Sequence, residues 1–160
     1  MADGYRPVLT AVAAVGAGVA GGVFFAFSDF VMRALRRLPD HNGLAAMQAI
    51  NRAAPSPAFM TVLFGTGFVC VAILVSAVPR HEEPLARQEI VGAALYLVSI
   101  ALTVAYHVPR NEALGALDPV SGDPSGAWRS YAGGWTAWNH LRTVTSVAAA
   151  VMFVHALRAR

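Results

Sequence analysis

The stretch Gly133–Leu157, GGWTAWNHLRTVTSVAAAVMFVHAL, decides how the chain is read. Its second half is apolar enough for lipid, yet Trp135, Trp138, Asn139, His140 and Arg142 crowd the turns that lead into it. The charge-free part, residues 143–157, would rise only about 22 Å as a helix, short of a hydrocarbon core roughly 30 Å thick. Extended back to Trp135 the helix crosses comfortably, and His140 and Arg142 then lie inside the membrane edge. Ionisable groups at that depth are costly, so they mark a candidate functional site.

Three further apolar runs precede it. Residues 8–27 carry no charge, residues 58–78 are opened by PSP and closed by Pro79, and residues 90–106 end at HVPRNE. The chain is 56% hydrophobic and 13% charged, with a mean hydropathy of +0.52, whereas soluble domains carry about 25% charged residues. These runs predict an all-α fold: a four-transmembrane-helix bundle with a short amphipathic helix between spans 1 and 2. It forms one membrane domain over residues 1–160, with spans near 8–30, 58–78, 89–107 and 135–157. The first run is longer than a signal-peptide core and three more spans follow it, so it reads as a span. Gly18 and Gly22 form a GxxxG expected to pack inside the bundle.

The same numbers exclude several classes. All basic residues are arginine, the net charge is +3 and the pI is near 9.6. Spread over every loop, they make no nucleic-acid stripe; they suit a protein integral to a membrane with anionic headgroups, read here as a bacterial cell membrane. The lone Cys70 excludes an internal disulfide. CxxC, HExxH, GxSxG and P-loop motifs are absent from the sequence.

Four spans put both termini on one side and sort the polar residues into two sets. Arg80, His81, Glu82, Glu83, Arg87, Glu89, Arg158 and Arg160 read as a solvated face. The other side holds Ser28, Asp29 and Arg33, the helix-forming DHNGLAAMQAINR, YHVPRNEAL and WTAWNHLR. His107 and His140 each fall about 25 Å along their helices from the first face, so they share a layer with Asn111, Asn139 and Arg142. Trp135, Trp138, Asn139, Arg142 and Ser146 follow i, i+3, i+4, i+7 on one helical stripe; His140 sits about 100° round. The tryptophans read as an interfacial belt or as a pocket rim. Pro109 is expected to bend or end the third helix, and Asn111 then reads as a cap or as a site residue. Asp40 is expected to cap a short helix with Leu44, Met47 and Ile50 on one face, either a membrane-surface helix or a lid. Phe24, Phe25, Phe27 and Phe30 make an aromatic wall, as core or against a planar ligand. A haem or metal between His107 and His140 is a further option.

Four segments together, GVFFAFSDFVMRAL, INRAAPSPAFM, YHVPRNEAL and WTAWNHLRT, resemble the anthrone oxygenase-like membrane family over essentially the whole chain. The most specific are Pro109 with Asn111, and Trp138-Asn139 with Arg142. Fungal members oxidise polyketide anthrones to anthraquinones with O2 and have no established cofactor. The resemblance implies a membrane-embedded oxygenase acting on a planar phenolic molecule. Asn111, Asn139 and Arg142 match the family's polar motifs, whereas His107 and His140 lie outside them. Such a reaction needs an apolar slot, here Phe24, Phe27, Trp135 and Trp138, and a base, either His107 or His140. It also needs donors to an enolate oxygen, here Arg142 with Asn139 and Asn111. The competing class is non-catalytic: a protein that binds a hydrophobic ligand, packs against a partner or forms a homo-oligomer, or that holds haem or metal at His107 and His140.

Overall fold

The computed structural model describes residues 4–120 and 124–159; Arg160, assigned above to the solvated face, lies outside them. Among the described residues the chain is helical throughout, with no strand. Four helices are long and apolar enough to cross a membrane: α1 (Tyr5–Leu35), α3 (Pro57–Arg80), α4 (Pro84–Gly115) and α5 (Pro124–Arg158). The shorter α2 (Asp40–Ala53) links the first two. The spans alternate in direction and pack as a ring in the order α1, α3, α4, α5, with the α1–α5 and α4–α5 seams the most extensive.

Small residues set the α1–α5 seam. Ala13, Ala17 and Ala20 are fully buried, and a Cβ on Gly21 would come within 3.0 Å of Val147 and 3.3 Å of Ser146. On the α4–α5 seam a Cβ on Gly92 would lie 2.9 Å from the buried Phe153 ring. The GxxxG reading needs correction. A Cβ on Gly18 or Gly22 would meet nothing within 4 Å, so that face points out of the bundle while Gly21, between them, does the packing.

The fourth helix is longer than its apolar run. It continues without a break to Pro124 because Trp128, Tyr131, Ala132 and Trp135 bury their faces under α2, against Met32, Leu35, Leu44 and Met47. Gly43 permits that approach: a Cβ there would fall 2.8 Å from the Leu35 carbonyl and 2.9 Å from the Trp128 ring. Met47 and Leu44 are fully buried, as the amphipathic pattern predicts, and α2 lies as a lid on the bundle end. Asp40 does not cap it; Pro39 holds the cap position and Asp40 pairs with Arg129 at 2.9 Å. Gln48 serves the other neighbour: its Nε2 donates to the carbonyls of Leu114 and Leu117 at 2.9 and 2.8 Å, where α4 runs out of intrahelical donors.

One alternative for Pro109 drops out, and the solvated reading of Glu89 fails, each for a physical reason. Pro109 does not end its helix, because a π-helical turn (Thr103–His107) directly before it shifts the hydrogen-bond ladder and α4 runs on to Gly115. Glu89 is not solvated. It is 1% exposed, accepts from Arg6 at 2.7 Å and from Thr10 at 2.8 Å, and ties α4 to α1 at the end of the bundle away from the lid.

Candidate functional site

Three of the four spans carry a π turn: Phe27–Val31 in α1, Thr61–Gly65 in α3 and Thr103–His107 in α4. Such turns widen the helix and leave a carbonyl short of its usual donor, and in lipid that carbonyl must be satisfied by protein. Two of the three have a side-chain donor from another span beside them: Asn139 Nδ2 donates to the Phe24 carbonyl at 2.7 Å and Tyr96 Oη to the Leu63 carbonyl at 3.0 Å. At the third, Thr103 Oγ1 donates within its own helix to the Ser99 carbonyl at 2.9 Å.

Arg142 joins two of these donors. Its Nε and Nη2 donate to Asn139 Oδ1 at 3.2 and 2.6 Å, and its Nη1 donates to Thr103 Oγ1 at 3.1 Å. Asn139 is itself fully buried and gives its second amide hydrogen to Ser28 Oγ at 2.8 Å. The guanidinium is 5% exposed and lies over the Phe24 ring at 4.1 Å and the Trp135 ring at 5.5 Å. Among the described residues no carboxylate pairs with it. Burying a cation without its counter-charge costs several kcal/mol; the two aromatic faces return about 2 kcal/mol each at most. Sequence position explains the clustering: Asn139 and Arg142 are i, i+3 on the buried stripe of α5, one turn above Trp135.

The guanidinium forms part of the wall of a cavity of about 450 Å³ enclosed by all five helices. Its lining is largely apolar, with Phe24 and Phe27 from α1, Met47 from α2, Phe59 and Phe64 from α3, and Trp135 from α5. The mouth lies at the α2–α3 link, where the exposed Ala53–Ser56 segment borders the cavity. His107 also lines it. This side chain is 1% exposed, its ring meets Trp135 edge-on at 5.0 Å, and neither ring nitrogen has a hydrogen-bond partner. Asn111 completes the polar part. Its Oδ1 accepts from Tyr131 Oη at 2.8 Å and Trp135 Nε1 at 3.0 Å, which fixes the amide so that its NH2 remains for the cavity it lines. Tyr131 Oη in turn accepts from Asn51 of the lid at 3.4 Å.

Of the residues singled out from sequence, Phe24, Phe27, His107, Asn111, Trp135 and Arg142 line one cavity. Asn139 lies behind Arg142 with its amide committed to protein, so it positions the guanidinium and does not itself face the cavity. Trp138 and His140 are not brought in. Trp138 is 42% exposed and its ring lies tilted against Tyr106 at 5.0 Å, and His140 is exposed on the outer side of α5. His107 and His140 therefore do not face a common space. Among the described residues no three His, Cys, Asp or Glu side chains are grouped to hold a metal ion. Sequence reading missed Thr103, Tyr131 and the α3 wall of Phe59 and Phe64. Thr103 sits four residues before His107, a spacing that signals one helical face; the α3 residues carry no signal beyond apolarity.

Comparison with known proteins gives one finding. A family model described as anthrone oxygenase matches residues 47–152, which contain the lid's inner half, the π turns of α3 and α4, and the Asn139–Arg142 pair. No curated protein and no solved structure matches the chain.

Proposed function

Since the chain belongs to the anthrone oxygenase family, we propose that it is a membrane-embedded oxygenase that admits a planar phenolic molecule of the anthrone type and oxidises it with O2. The observation that supports this most directly is Arg142: a buried cation on the wall of an aromatic cavity with no counter-charge among the described residues, beside His107, whose ring nitrogens are likewise unpartnered there. A ligand that becomes an anion inside the cavity supplies what Arg142 lacks.

The chemistry follows from those two groups. An anthrone has an acidic C–H opposite its ketone. His107 accepts that proton, and the negative charge moves to the ketone oxygen as an enolate held by Arg142, with the Asn111 NH2 as a second donor. The enolate is electron-rich enough to give an electron to O2 directly, and recombination of the two radicals forms a C–O bond. Return of the proton from His107 gives a hydroperoxide, which loses water to leave a quinone carbonyl. One O2 is consumed, one oxygen atom enters the product and the other leaves as water. In this reading no cofactor is required, and the protein's contribution is desolvation, proton transfer and charge stabilisation. Asn139 acts through Arg142.

The test is oxygen uptake by the purified protein in mild detergent with an anthrone, using 18O2 to follow the incorporated atom. Wild-type protein is expected to raise uptake well above the spontaneous rate, with one label in the quinone. Arg142→Ala and His107→Ala are expected to lose about 100-fold or more, and His140→Ala to retain activity. Turnover by Arg142→Ala and His107→Ala equal to that of wild type would sink the assignment. Tight binding of the anthrone with no uptake above background would leave a ligand-binding protein in place of an enzyme.

A further inference from the structure

A second concavity lies on the outside of the bundle, between α1 and α5, with a volume of about 470 Å³. Gly18, Gly21 and Gly22 form its α1 side and Val147, Val151 and Val154 its α5 side. A Cβ on Gly18 or Gly22 would meet open space, so nothing within the chain requires glycine there. Glycine inside a helix costs about 0.5–1 kcal/mol relative to alanine, and here intramolecular packing does not return that cost. From Val147 to Arg158 the groove runs about 16 Å, the depth of one leaflet of a hydrocarbon core roughly 30 Å thick. At its outer end stand His155 and Arg158, both exposed in the last turn of α5 and without an ion-pair or hydrogen-bond partner among the described residues.

We propose that this groove holds one anionic phospholipid, with an acyl chain on the glycine floor and its phosphate on Arg158 and His155. The charge pattern favours that occupant over a second copy of the chain. Two copies in one bilayer relate by an axis along the membrane normal, so each residue meets its own counterpart at the same depth. A dimer through this groove would bring Arg158 and His155 against Arg158 and His155. A phosphate instead takes a charge-assisted bond from the arginine fork and a donor from the imidazole. The proposal does not rest on the oxygenase reading.

Native mass spectrometry of the full chain, released from detergent after addition of phosphatidylglycerol or of phosphatidylcholine with the same acyl chains, tests it. One phosphatidylglycerol per chain is expected to survive activation that strips phosphatidylcholine, with retention higher by about tenfold, equivalent to roughly 1.4 kcal/mol. Arg158→Gln with His155→Gln should erase that preference. Gly18→Leu with Gly22→Leu should fill the groove and lower retention of both lipids without lowering the melting temperature, since the added side chains displace nothing in the bundle. Equal retention of the two lipids by wild type, undiminished preference in Arg158→Gln with His155→Gln, or undiminished retention in Gly18→Leu with Gly22→Leu overturns the proposal. So does a wild-type dimer that Gly18→Leu with Gly22→Leu dissociates, which would assign the groove to a second copy.

Discussion

Nε and Nη2 of Arg142 both donate to a single oxygen, Oδ1 of Asn139, at 3.2 and 2.6 Å. That oxygen has no other role, and the asparagine's two amide hydrogens are spent on α1, at the Phe24 carbonyl and Ser28 Oγ. The pair therefore fixes where a positive charge stands relative to α1 without neutralising it.

Arg142→Lys keeps the charge but loses the planar fork. One ammonium cannot reach Asn139 and Thr103 in the same geometry, so affinity for an acidic phenol should fall by about 10- to 100-fold, the value of a hydrogen bond to a charged group. Tryptophan fluorescence quenching by the ligand, reported by Trp135 at the cavity wall, measures it. Retained affinity in the lysine variant would reduce Arg142 to a diffuse source of positive charge.

Arg142→Met separates stability from function. It removes a desolvated cation, a gain of several kcal/mol, and leaves the Asn139 and Thr103 acceptors unsatisfied, a loss of about 1–3 kcal/mol each. The two nearly cancel, so thermal stability in detergent should stay close to wild type while phenol binding is lost. A collapse of the melting temperature would show that the guanidinium is chiefly a structural tie.

Asn139→Asp places a carboxylate where the carbonyl oxygen now sits. It supplies Arg142 with the counter-charge that a ligand otherwise provides, so KM should rise by about tenfold or more, the effect of roughly 1.4 kcal/mol. Titration of the variant with a neutral isostere of the ligand gives the control, since that affinity should change less. Equal losses for the two ligands would point to a general disturbance of the cavity.

The lid can be lifted from outside the cavity. Gly43→Ala puts a methyl group within 2.9 Å of both the Leu35 carbonyl and the Trp128 ring, an overpacking worth about 1–3 kcal/mol. Lower thermal stability together with faster ligand release is expected, followed by stopped-flow fluorescence. Unchanged release would mean that α2 does not control access.

At the far end of the bundle Glu89→Gln leaves Arg6 buried without its partner. Breaking a buried pair in this way costs about 3–5 kcal/mol, and the melting temperature should fall accordingly while ligand affinity in the surviving folded protein is unchanged. A matching loss of affinity would couple the two ends.

The sequence makes the four spans and the buried stripe of α5 legible because both are local patterns. Apolar runs identify α1, α3 and α4, and the i, i+3, i+4, i+7 spacing places Trp135, Asn139, Arg142 and Ser146 inward, where they are buried. The same stripe fails at Trp138, which lies at its margin and turns toward Tyr106. The extension of α5 was hidden because Gly126, Arg129, Ser130, Gly133 and Gly134 dilute its hydropathy; what holds it helical is burial under α2, a contact made 80 to 90 residues away in sequence. The Arg6–Glu89 pair is invisible for the same reason, an acid near a helix start being solvated unless a distant base reaches it. The π turns leave no mark in composition. They insert one residue of phase into a helix, and the donors that serve those of α1 and α3 stand on other spans, Asn139 on α5 and Tyr96 on α4.

Arg142's missing counter-charge also bears on how a catalytic cycle would end. An enolate is an anion and a quinone is neutral, so oxidation removes the charge that held the molecule in place. Product inhibition should then be weak even though substrate and product have nearly the same shape and apolar area. The arginine would discriminate between them by valence alone, and each turnover would reset the cavity to its unbalanced state, ready for the next acidic phenol arriving from the headgroup region.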